Sequence, residues 1–477
     1  MQTIISSAAR KRLALVAFTS LWLGACGGGG GGGDVTAAAP SAPSAPSASG
    51  NPGVSPTAAP VATGPAAPAA PASAPVASAP PASGTPAPAP ASPPPPEWIG
   101  TVAVGTMGSG QAGPSLARLA NGQTAVAWPT VEAGTQQIKV QRYDDAGAVV
   151  GPPVRIDSPS EPTILFPNDD AQTASVAATP TGYVVSWCSY RDRSGGVSGR
   201  PLPGWDAFMR RFDATGTALG AVIQVNTEPT NNCLQVSVVP LPDDKLGVAY
   251  RSYVYPFFPG PIAGSCLVRT FDGAGNGSVA TDLGNAATCT AAPLPDGGFA
   301  VVHDFPTYGP NHVYLRRFDD RGFPIGDQVL VDGGGTPLAS AVNADQPDIA
   351  TLPDGNLAIA WVSNGAVVAQ KFTPSGVPVA GRFQIVASGG SPKIAGLSDG
   401  AIALTWAQFP ADSRELWSQS FFPTGATRDQ AMRLTSLARA AVPNPGSGTA
   451  ASSNGHSIVG WEEPASSGGF NVFIARR

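Results

Sequence analysis

The sequence has few of the side chains on which acid–base and metal chemistry most often depend. Its 477 residues include three histidines and five cysteines, and charged residues make up only 12% of the chain. A zinc site needs several histidine or cysteine ligands at close spacing, whereas His303, His312 and His456 are scattered. Lysine and arginine form no cluster after the first twelve residues, so the basic surface of a nucleic-acid-binding protein is missing. We therefore predict no metal site, no cofactor and no nucleic-acid partner.

Familiar catalytic patterns are also missing. Glycosidase chemistry needs paired carboxylates, and the seven glutamates are spread over the chain. A G-x-S-x-G nucleophile elbow needs a strand–turn–helix context, and helical patterns are negligible after residue 97. The acidic segments DDAG, DATG, DGAG and DDRG lack the alternating oxygen ligands of a calcium loop, so we interpret them as plain hairpin turns. The sequence identifies no catalytic residue.

Residues 1–25 have the composition of an export signal. The basic run RKR (10–12) precedes an apolar stretch, LALVAFTSLWLGA (13–25), which is short for a membrane span. The letters LGAC (23–26) resemble the lipobox of bacterial lipoproteins. That resemblance implies cleavage before Cys26, acylation of this cysteine and attachment to the bacterial cell envelope, with Gly27 favouring the outer membrane. The alternative is an ordinary signal peptide followed by an incidental cysteine.

Residues 26–97 form a second segment, in which glycine, alanine, proline and serine follow Cys26 with almost no large apolar side chains. Such a composition cannot bury enough apolar surface to offset the entropy lost on ordering. We predict a disordered tether of about 70 residues with a reach of roughly 45–50 Å. Residues 98–477 then form the folded part.

A hairpin motif recurs along the folded part. Each copy has a short run of small and apolar residues, a tight turn, and alternating apolar residues that end on a ring. Asp-Gly or Asn-Gly between apolar runs is a strong signal for a β-hairpin. The copies are LANGQTAVAW (119–128), TPTGYVVSW (179–187), LPDDKLGVAY (241–250), LPDGGFAVVH (294–303), LPDGNLAIAW (352–361), LSDGAIALTW (397–406) and SSNGHSIVGW (452–461).

A second motif follows each of the first six hairpins and places an aromatic residue four positions before a glycine. It predicts a third strand, a turn and a fourth strand. Four antiparallel strands that recur every 45–63 residues are typical of β-propeller blades. The last repeat ends before its fourth strand, while EWIGTVAVGTM (97–107) precedes the first hairpin. We therefore predict an all-β, seven-bladed propeller whose N-terminal strand completes the last blade.

These two motifs resemble the "DGGFVVAW … QRFD..G.P.G" units of large secreted bacterial proteins over most of residues 98–477. The resemblance implies a secreted β-repeat architecture and no particular activity.

A large ring ends the second strand of every predicted blade. The rings could form an aromatic collar that stacks on a sugar or peptide, or they could pack between adjacent blades. Their repetition in all seven copies favours packing, because a ligand rarely needs seven equal contacts. The ring residues are Trp128, Trp187, Tyr250, His303, Trp361, Trp406 and Trp461.

Three predicted loops between second and third strands are long, at residues 189–206, 251–265 and 304–311 in blades 2, 3 and 4. They should rise on one face, and long loops rich in tyrosine, tryptophan and arginine are frequent binding sites. Alternatively, the rings pack on each other and seal the loops. The candidate binding residues are Tyr190, Arg191, Arg193, Trp205, Tyr253, Tyr255, Phe257, Phe258 and Tyr308.

The four cysteines after Cys26 lie in the same sector. An even number in an exported chain suggests disulfides, with three possible pairings. We hypothesise that each cysteine pairs with the next blade, which gives Cys188–Cys233 and Cys266–Cys289.

The features together predict a lipid-anchored, monomeric protein of the cell envelope that binds a protein or glycan through the loops of blades 2–4. The alternative is a polysaccharide hydrolase or lyase with its site at the mouth of the propeller channel. The alternative requires several charged side chains to converge there. They are Asp169, Asp170, Asp192 and Asp345 with Arg191 and Arg193.

Overall fold

A computed structural model describes thirteen stretches of the chain. All of them belong to one unit of the chain, Pro88–Arg477. The predicted signal peptide, Cys26 and nearly all of the tether lie outside the described residues. The described stretches are 97–105, 113–132, 135–157, 174–193, 202–227, 232–253, 264–305, 311–333, 343–409, 415–434, 447–451, 455–464 and 470–477.

The described residues form 28 β-strands, which pair into four-stranded antiparallel sheets. The predicted all-β propeller fold with four-stranded antiparallel blades is confirmed. None of the described residues forms a helix that could cross a membrane.

Six sheets, called blades 1–6, each consist of four strands that are consecutive in the chain. Blade 1 contains β2 (Ser115–Arg118), β3 (Thr124–Glu132), β4 (Thr135–Tyr143) and β5 (Val149–Arg155). Blade 2 contains β6 (Ala174–Thr179), β7 (Gly182–Arg193), β8 (Leu202–Asp213) and β9 (Ile223–Gln224). Blade 3 contains β10 (Asn232–Pro240), β11 (Leu246–Tyr253), β12 (Gly264–Phe271) and β13 (Thr281–Asn285).

Blades 4–6 follow the same order. Blade 4 contains β14 (Cys289–Pro293), β15 (Phe299–Phe305), β16 (His312–Phe318) and β17 (Pro324–Leu330). Blade 5 contains β18 (Ala344–Thr351), β19 (Leu357–Ser363), β20 (Ala366–Phe372) and β21 (Phe383–Val386). Blade 6 contains β22 (Gly389–Gly396), β23 (Ile402–Gln408), β24 (Glu415–Phe421) and β25 (Met432–Arg433).

The remaining sheet, called the closing sheet, is composite. It contains β26 (Ser447–Ala451), β27 (Ser457–Pro464), β28 (Phe470–Arg476) and, as its outer strand, β1 (Glu97–Gly105). The predicted count of seven blades is corrected accordingly: consecutive strands build six blades, and the seventh four-stranded sheet joins both ends of the described chain. The physical reason is that β1 pairs along the outer edge of β28, whose amide and carbonyl groups would otherwise be exposed. The predicted pairing of the N-terminal strand with the last repeat is confirmed, since β1 lies antiparallel to β28.

The first strand of each sheet is the innermost. Each innermost strand contacts the next one in chain order, and β26 contacts β2, so the sheets close into a ring. Polar side chains join these strands: the Ser115 hydroxyl accepts a hydrogen bond from the Val176 amide at 3.0 Å, and the Ser237 hydroxyl accepts one from Ala291 at 3.2 Å. Because strands alternate in direction, the ring has two different faces. We call them the loop face, with the second-to-third-strand loops and blade crossings, and the turn face, with the tight turns.

The aspartates of the second motif stabilise turns on the turn face. Asp213 Oδ1 accepts hydrogen bonds from the backbone amides of Thr215 and Thr217, each at 2.8 Å. The hydrogen bond from the Thr215 hydroxyl, together with these two backbone bonds, lowers the pKa of Asp213. Gly216 completes the turn with φ near +89°, a region that favours glycine. The carboxylates are therefore used within their own turns, as in an Asx-turn.

The seven ring residues are buried, and none is more than 3% exposed. Each of the three examples that follow packs against the preceding blade: Trp187 lies in one apolar cluster with Ile138, Trp361 with Val313, and Trp461 with Leu416. The burial of these three rings among apolar side chains supports the packing interpretation. Rings buried to this degree present no open face to a ligand, which favours packing over an aromatic collar.

Candidate binding face

The β7–β8 hairpin extends the loop face of blade 2. Both strands have 12 residues, compared with seven in the second and third strands of blades 4–6. Pairing continues from Trp187 opposite Phe208 to Arg193 opposite Leu202. Tyr190 and Arg191 therefore lie on a strand, whereas the sequence predicted a loop. The inserted residues lengthen the hairpin and carry it beyond the ring of buried aromatic residues.

Trp205 is a buried residue of this hairpin. It lies on β8, is 7% exposed, and shares an apolar cluster with Cys188, Cys233 and Tyr250 between blades 2 and 3. The structure therefore places Trp205 on a strand and not in the predicted loop, and its role in binding stays a prediction. The signal was in the sequence: in WDAFM (205–209), alternate residues face opposite sides of the sheet, and Trp205 shares the side of Ala207 and Met209.

Tyr253 has a similar position in blade 3. It is the last residue of β11, pairs with Gly264 and is 7% exposed, so it lies on a strand and not in the predicted loop, and its role in binding stays a prediction. The strand simply continues further than the repeat suggested.

Several predicted site residues are not described. Tyr255, Phe257, Phe258, Tyr308, Asp169 and Asp170 lie outside the described residues, and only the backbones of Tyr190, Arg191, Asp192 and Arg193 are described. Their roles stay predictions.

Two disulfides join neighbouring blades at the base of the loop face. Cys188 bonds Cys233 with Cα atoms 5.6 Å apart, and Cys266 bonds Cys289 with Cα atoms 5.7 Å apart. The hypothesised pairing is confirmed. The bonds link blade 2 to blade 3 and blade 3 to blade 4, directly below the elaborated hairpins.

Two charged residues hold the crossing from blade 3 to blade 4. Arg251 Nε donates to the Ala286 carbonyl at 2.9 Å, and Asp304 Oδ1 accepts from the amides of Ala287 and Thr288 at 2.7 and 2.6 Å. Each charged residue directly follows a buried ring, Tyr250 or His303. Burial is the main effect on Asp304 and raises its pKa, while its backbone partners oppose the rise. Sequence analysis missed both residues. The only signal in the sequence was that each one directly follows the aromatic or histidine residue that ends a repeated hairpin motif.

Asp345 lies beside Asp304 at the mouth of the channel. Its Oδ1 atom is buried with no hydrogen-bond partner among the described residues. Burial, together with the negative charge of Asp304, raises the pKa of Asp345 to about 6. Of the four aspartates predicted to converge at the channel mouth, only Asp345 has a described side chain. Asp304 and Arg251 lie in the same region. This group, Arg251, Asp304 and Asp345, is the mouth cluster.

The backbone beside the mouth cluster is strained. Gln346 has φ near +52° and Ser391 near +50°, a region that non-glycine residues rarely adopt. Gln346 Oε1 accepts a hydrogen bond from the Ser391 amide at 2.6 Å, which joins β18 to β22. Both residues sit at interruptions of the strand register. Strained backbone that the surrounding structure maintains is a common feature of functional sites.

His303 is a buried residue that directly precedes Asp304 of the mouth cluster. It is buried, stacks on Tyr314 with ring centroids 5.8 Å apart, and its Nδ1 lies 3.3 Å from the Asp304 carbonyl. Its Nε2 is buried, and the nearby Gln328 side chain favours protonation of the ring. Burial outweighs these contacts and lowers the pKa of His303, so the ring is neutral at pH 7. Across the described residues, no three His, Cys, Asp or Glu side chains are arranged to hold a metal ion.

Glu462 is a further buried acid that sequence analysis missed. It follows the ring residue Trp461 of the closing sheet, as Asp304 follows His303. Its side chain is 2% exposed, Oε1 has no partner among the described residues, and burial raises its pKa well above the ordinary value.

No model of a known protein family and no curated protein matches the chain. Solved structures resemble it only distantly. A polysaccharide lyase of a new family, an ulvan lyase, is 10% identical, with 79% of this chain and 94% of that one covered and a TM-score of 0.48. An α-L-arabinanase from Penicillium chrysogenum is 13% identical, with 69% and 98% covered and a TM-score of 0.47. The propeller of Dos1 is 9% identical, with 80% and 95% covered and a TM-score of 0.42. At these identities the likeness concerns the β-propeller fold alone.

Proposed function

We propose that the chain is a lipid-anchored binding module of the bacterial cell envelope. Its ligand, a protein or a glycan, contacts the loop face over blades 2–4. The observation that carries the proposal is the β7–β8 hairpin, which extends beyond the ring of buried aromatic residues and stands beside the two inter-blade disulfides. A hairpin fixed at its base loses little conformational entropy on binding, so contacts made by its end contribute more to affinity.

Arg191 is the residue that best tests this proposal. It lies on β7 opposite Gly204, four residues beyond Trp187. The protein from residue 26 onward, with Cys26→Ser to keep it unlipidated, is applied to a glycan array and used to capture proteins from an envelope extract, followed by their identification. Arg191→Ala should weaken capture by roughly tenfold, as expected for an arginine anchor. The matched control is Arg321→Ala, an exposed arginine in a tight turn of the opposite face.

Equal effects of Arg191→Ala and Arg321→Ala would contradict a loop-face site. So would the absence of any glycan or identified envelope protein in the captured material.

A second function, cleavage of an envelope polysaccharide, is favoured by one observation. Asp304 and Asp345 are two acids close enough for the charge of one to raise the pKa of the other. A carboxyl that stays partly protonated near neutral pH can donate a proton to a leaving group. Under this function, Asp345→Asn abolishes the release of reducing ends from envelope polysaccharides but leaves glycan binding intact. Persistence of that release in Asp345→Asn would remove the mouth cluster from the reaction.

A further inference from the structure

The large apolar side chains that are exposed concentrate at one edge of the molecule. Among the described residues, every one except Phe409 lies at or just after the turn between the third and fourth strands of a blade. Val279 is 90% exposed and Phe323 is 66% exposed. We call this set the apolar rim. It consists of Val149, Leu219, Val279, Phe323, Val377, Val379 and Phe422.

The apolar rim follows the circumference of the turn face. Blades 1–6 each contribute at least one member, because the same turn of the repeat carries it. Single exposed apolar residues are ordinary on protein surfaces. Their recurrence at the same turn of six successive blades is different, because it spaces apolar side chains around most of the ring. Such an arrangement suits a flat surface, since a globular partner would cover only part of it.

Three ion pairs lie on the same face. Arg317 binds Asp296 at 2.9 Å, and Arg428 binds Asp399 at 2.7 Å. Lys371 also binds Asp354 at 2.5 Å. The turns next to the rim also carry Asp213, Asp272 and Asp319, so apolar contact rather than attraction to anionic lipid would dominate docking on this face.

The chain also enters the propeller at this face. Glu97, the first residue of β1, lies opposite Arg476 near the end of β28, where third strands reach the turn face. The first residue of β1 is therefore at the turn-face end of this strand. In a protein held by acyl chains on Cys26, a tether of this length keeps the propeller at a high effective concentration near the bilayer, so a weak docking contact is enough.

We propose that the turn face docks on the surface of the lipid bilayer. The apolar rim inserts shallowly into the interfacial region, and the loop face is directed away from the membrane. This proposal rests on the lipid anchoring in the proposed function and adds an orientation to it. The chemistry required of the partner is that of a phospholipid surface, in which side chains such as Phe323 and Leu219 replace contact with water by contact with lipid.

Vesicle flotation tests the docking without the anchor. The protein from residue 26 onward with Cys26→Ser is mixed with vesicles of phosphatidylethanolamine and phosphatidylglycerol. We expect weak binding that high salt does not abolish, because salt screens charges and not apolar contacts. The triple variant Leu219→Ser/Phe323→Ser/Val377→Ser should bind at least about tenfold less. All three residues are exposed, so the thermal unfolding temperature should remain close to that of the wild type.

Phe409→Ser is the matched control, because Phe409 is an exposed aromatic residue that follows β23 on the loop face. It should leave flotation unchanged. Three results would overturn the proposal: no vesicle binding by the parent protein, equal losses in the triple variant and Phe409→Ser, or binding that disappears in high salt. A rim variant that changes the oligomeric state instead would identify the rim as a contact between copies.

A second experiment separates this proposal from the anchoring on which it rests. Cells that produce the full chain receive a labelled fatty acid and, separately, a photoactivatable phospholipid. Acylation of Cys26 with crosslinks at the peptides of Phe323 and Leu219 is the expected result. Acylation without rim crosslinks overturns the docking alone, whereas absence of acylation overturns the anchoring.

Discussion

Asp345 carries a carboxyl group that weakens the folded protein at neutral pH. Its pKa is raised to about 6, so the folded state holds this proton more tightly than the unfolded state. The resulting stabilisation is present at low pH and is lost as pH rises through about 6. Asp345→Asn removes the charge, so at pH 7 it should raise the free energy of unfolding by about 1 kcal/mol, after allowance for solvent screening. At pH 4 the variant and the parent should be alike.

Urea unfolding at both pH values measures this effect, with the exposed Asp327→Asn as control. If Asp327→Asn raises the free energy of unfolding at pH 7 by the same amount, then the local environment of Asp345 is not the cause of the increase. A gain confined to Asp345 would identify an acid that is retained at a cost in stability, which is typical of functional sites.

His303 has the opposite pH dependence. Burial lowers its pKa, so the unfolded state binds the proton more readily and stability falls as pH decreases below the ordinary range of histidine. His303→Phe keeps a ring against Tyr314 and should reduce this acid sensitivity while changing stability at pH 7 by less than about 1 kcal/mol. Thermal unfolding at pH 7.5 and pH 5 compares the two proteins. A large loss at pH 7.5 would show that the imidazole makes an essential polar contact.

Residue roles could be predicted where the repeat fixes the position. The ring series, including His303, was predictable because the same position recurs in every hairpin, and the cysteine pairing followed from the same alignment of blades. The roles of Trp205 and Tyr253 were not, because their insertions interrupt the repeat and hide how far the strands continue. The mouth cluster was predicted only in part. Asp345 and Asp304 lie on neighbouring blades, and their proximity depends on how these blades pack.

At the scale of elements, the disulfides stabilise the sector that carries the long hairpins. Cys188–Cys233 spans 45 residues and Cys266–Cys289 spans 23. Replacing either pair by serine should lower the free energy of unfolding by roughly 2–4 kcal/mol, with the larger loss for the longer span, because closing a longer loop restricts the unfolded chain more. Chemical denaturation of the two double variants measures the losses. Non-reducing peptide mapping provides the control, and Cys233 linked to Cys289 would contradict the pairing.

The whole molecule depends on β1, because this strand covers the outer edge of β28 and thereby completes the ring. Removing residues 97–105 would leave the amide and carbonyl groups of β28 without partners along that edge. We expect a lower unfolding temperature and a tendency to associate, since an open edge pairs with other chains. The control is removal of residues 88–96, which precede the strand.

Addition of the missing strand as a separate peptide makes the prediction specific. A peptide with the sequence EWIGTVAVG should restore the unfolding temperature and the monomeric state of the shortened protein, because main-chain hydrogen bonds supply most of the contact when a strand is added to a sheet edge. A scrambled peptide should not. Differential scanning calorimetry and size-exclusion chromatography follow the two effects. If the scrambled peptide restores both, or if removal of residues 97–105 changes neither, then closure by β1 is dispensable and contacts between the innermost strands alone hold the ring.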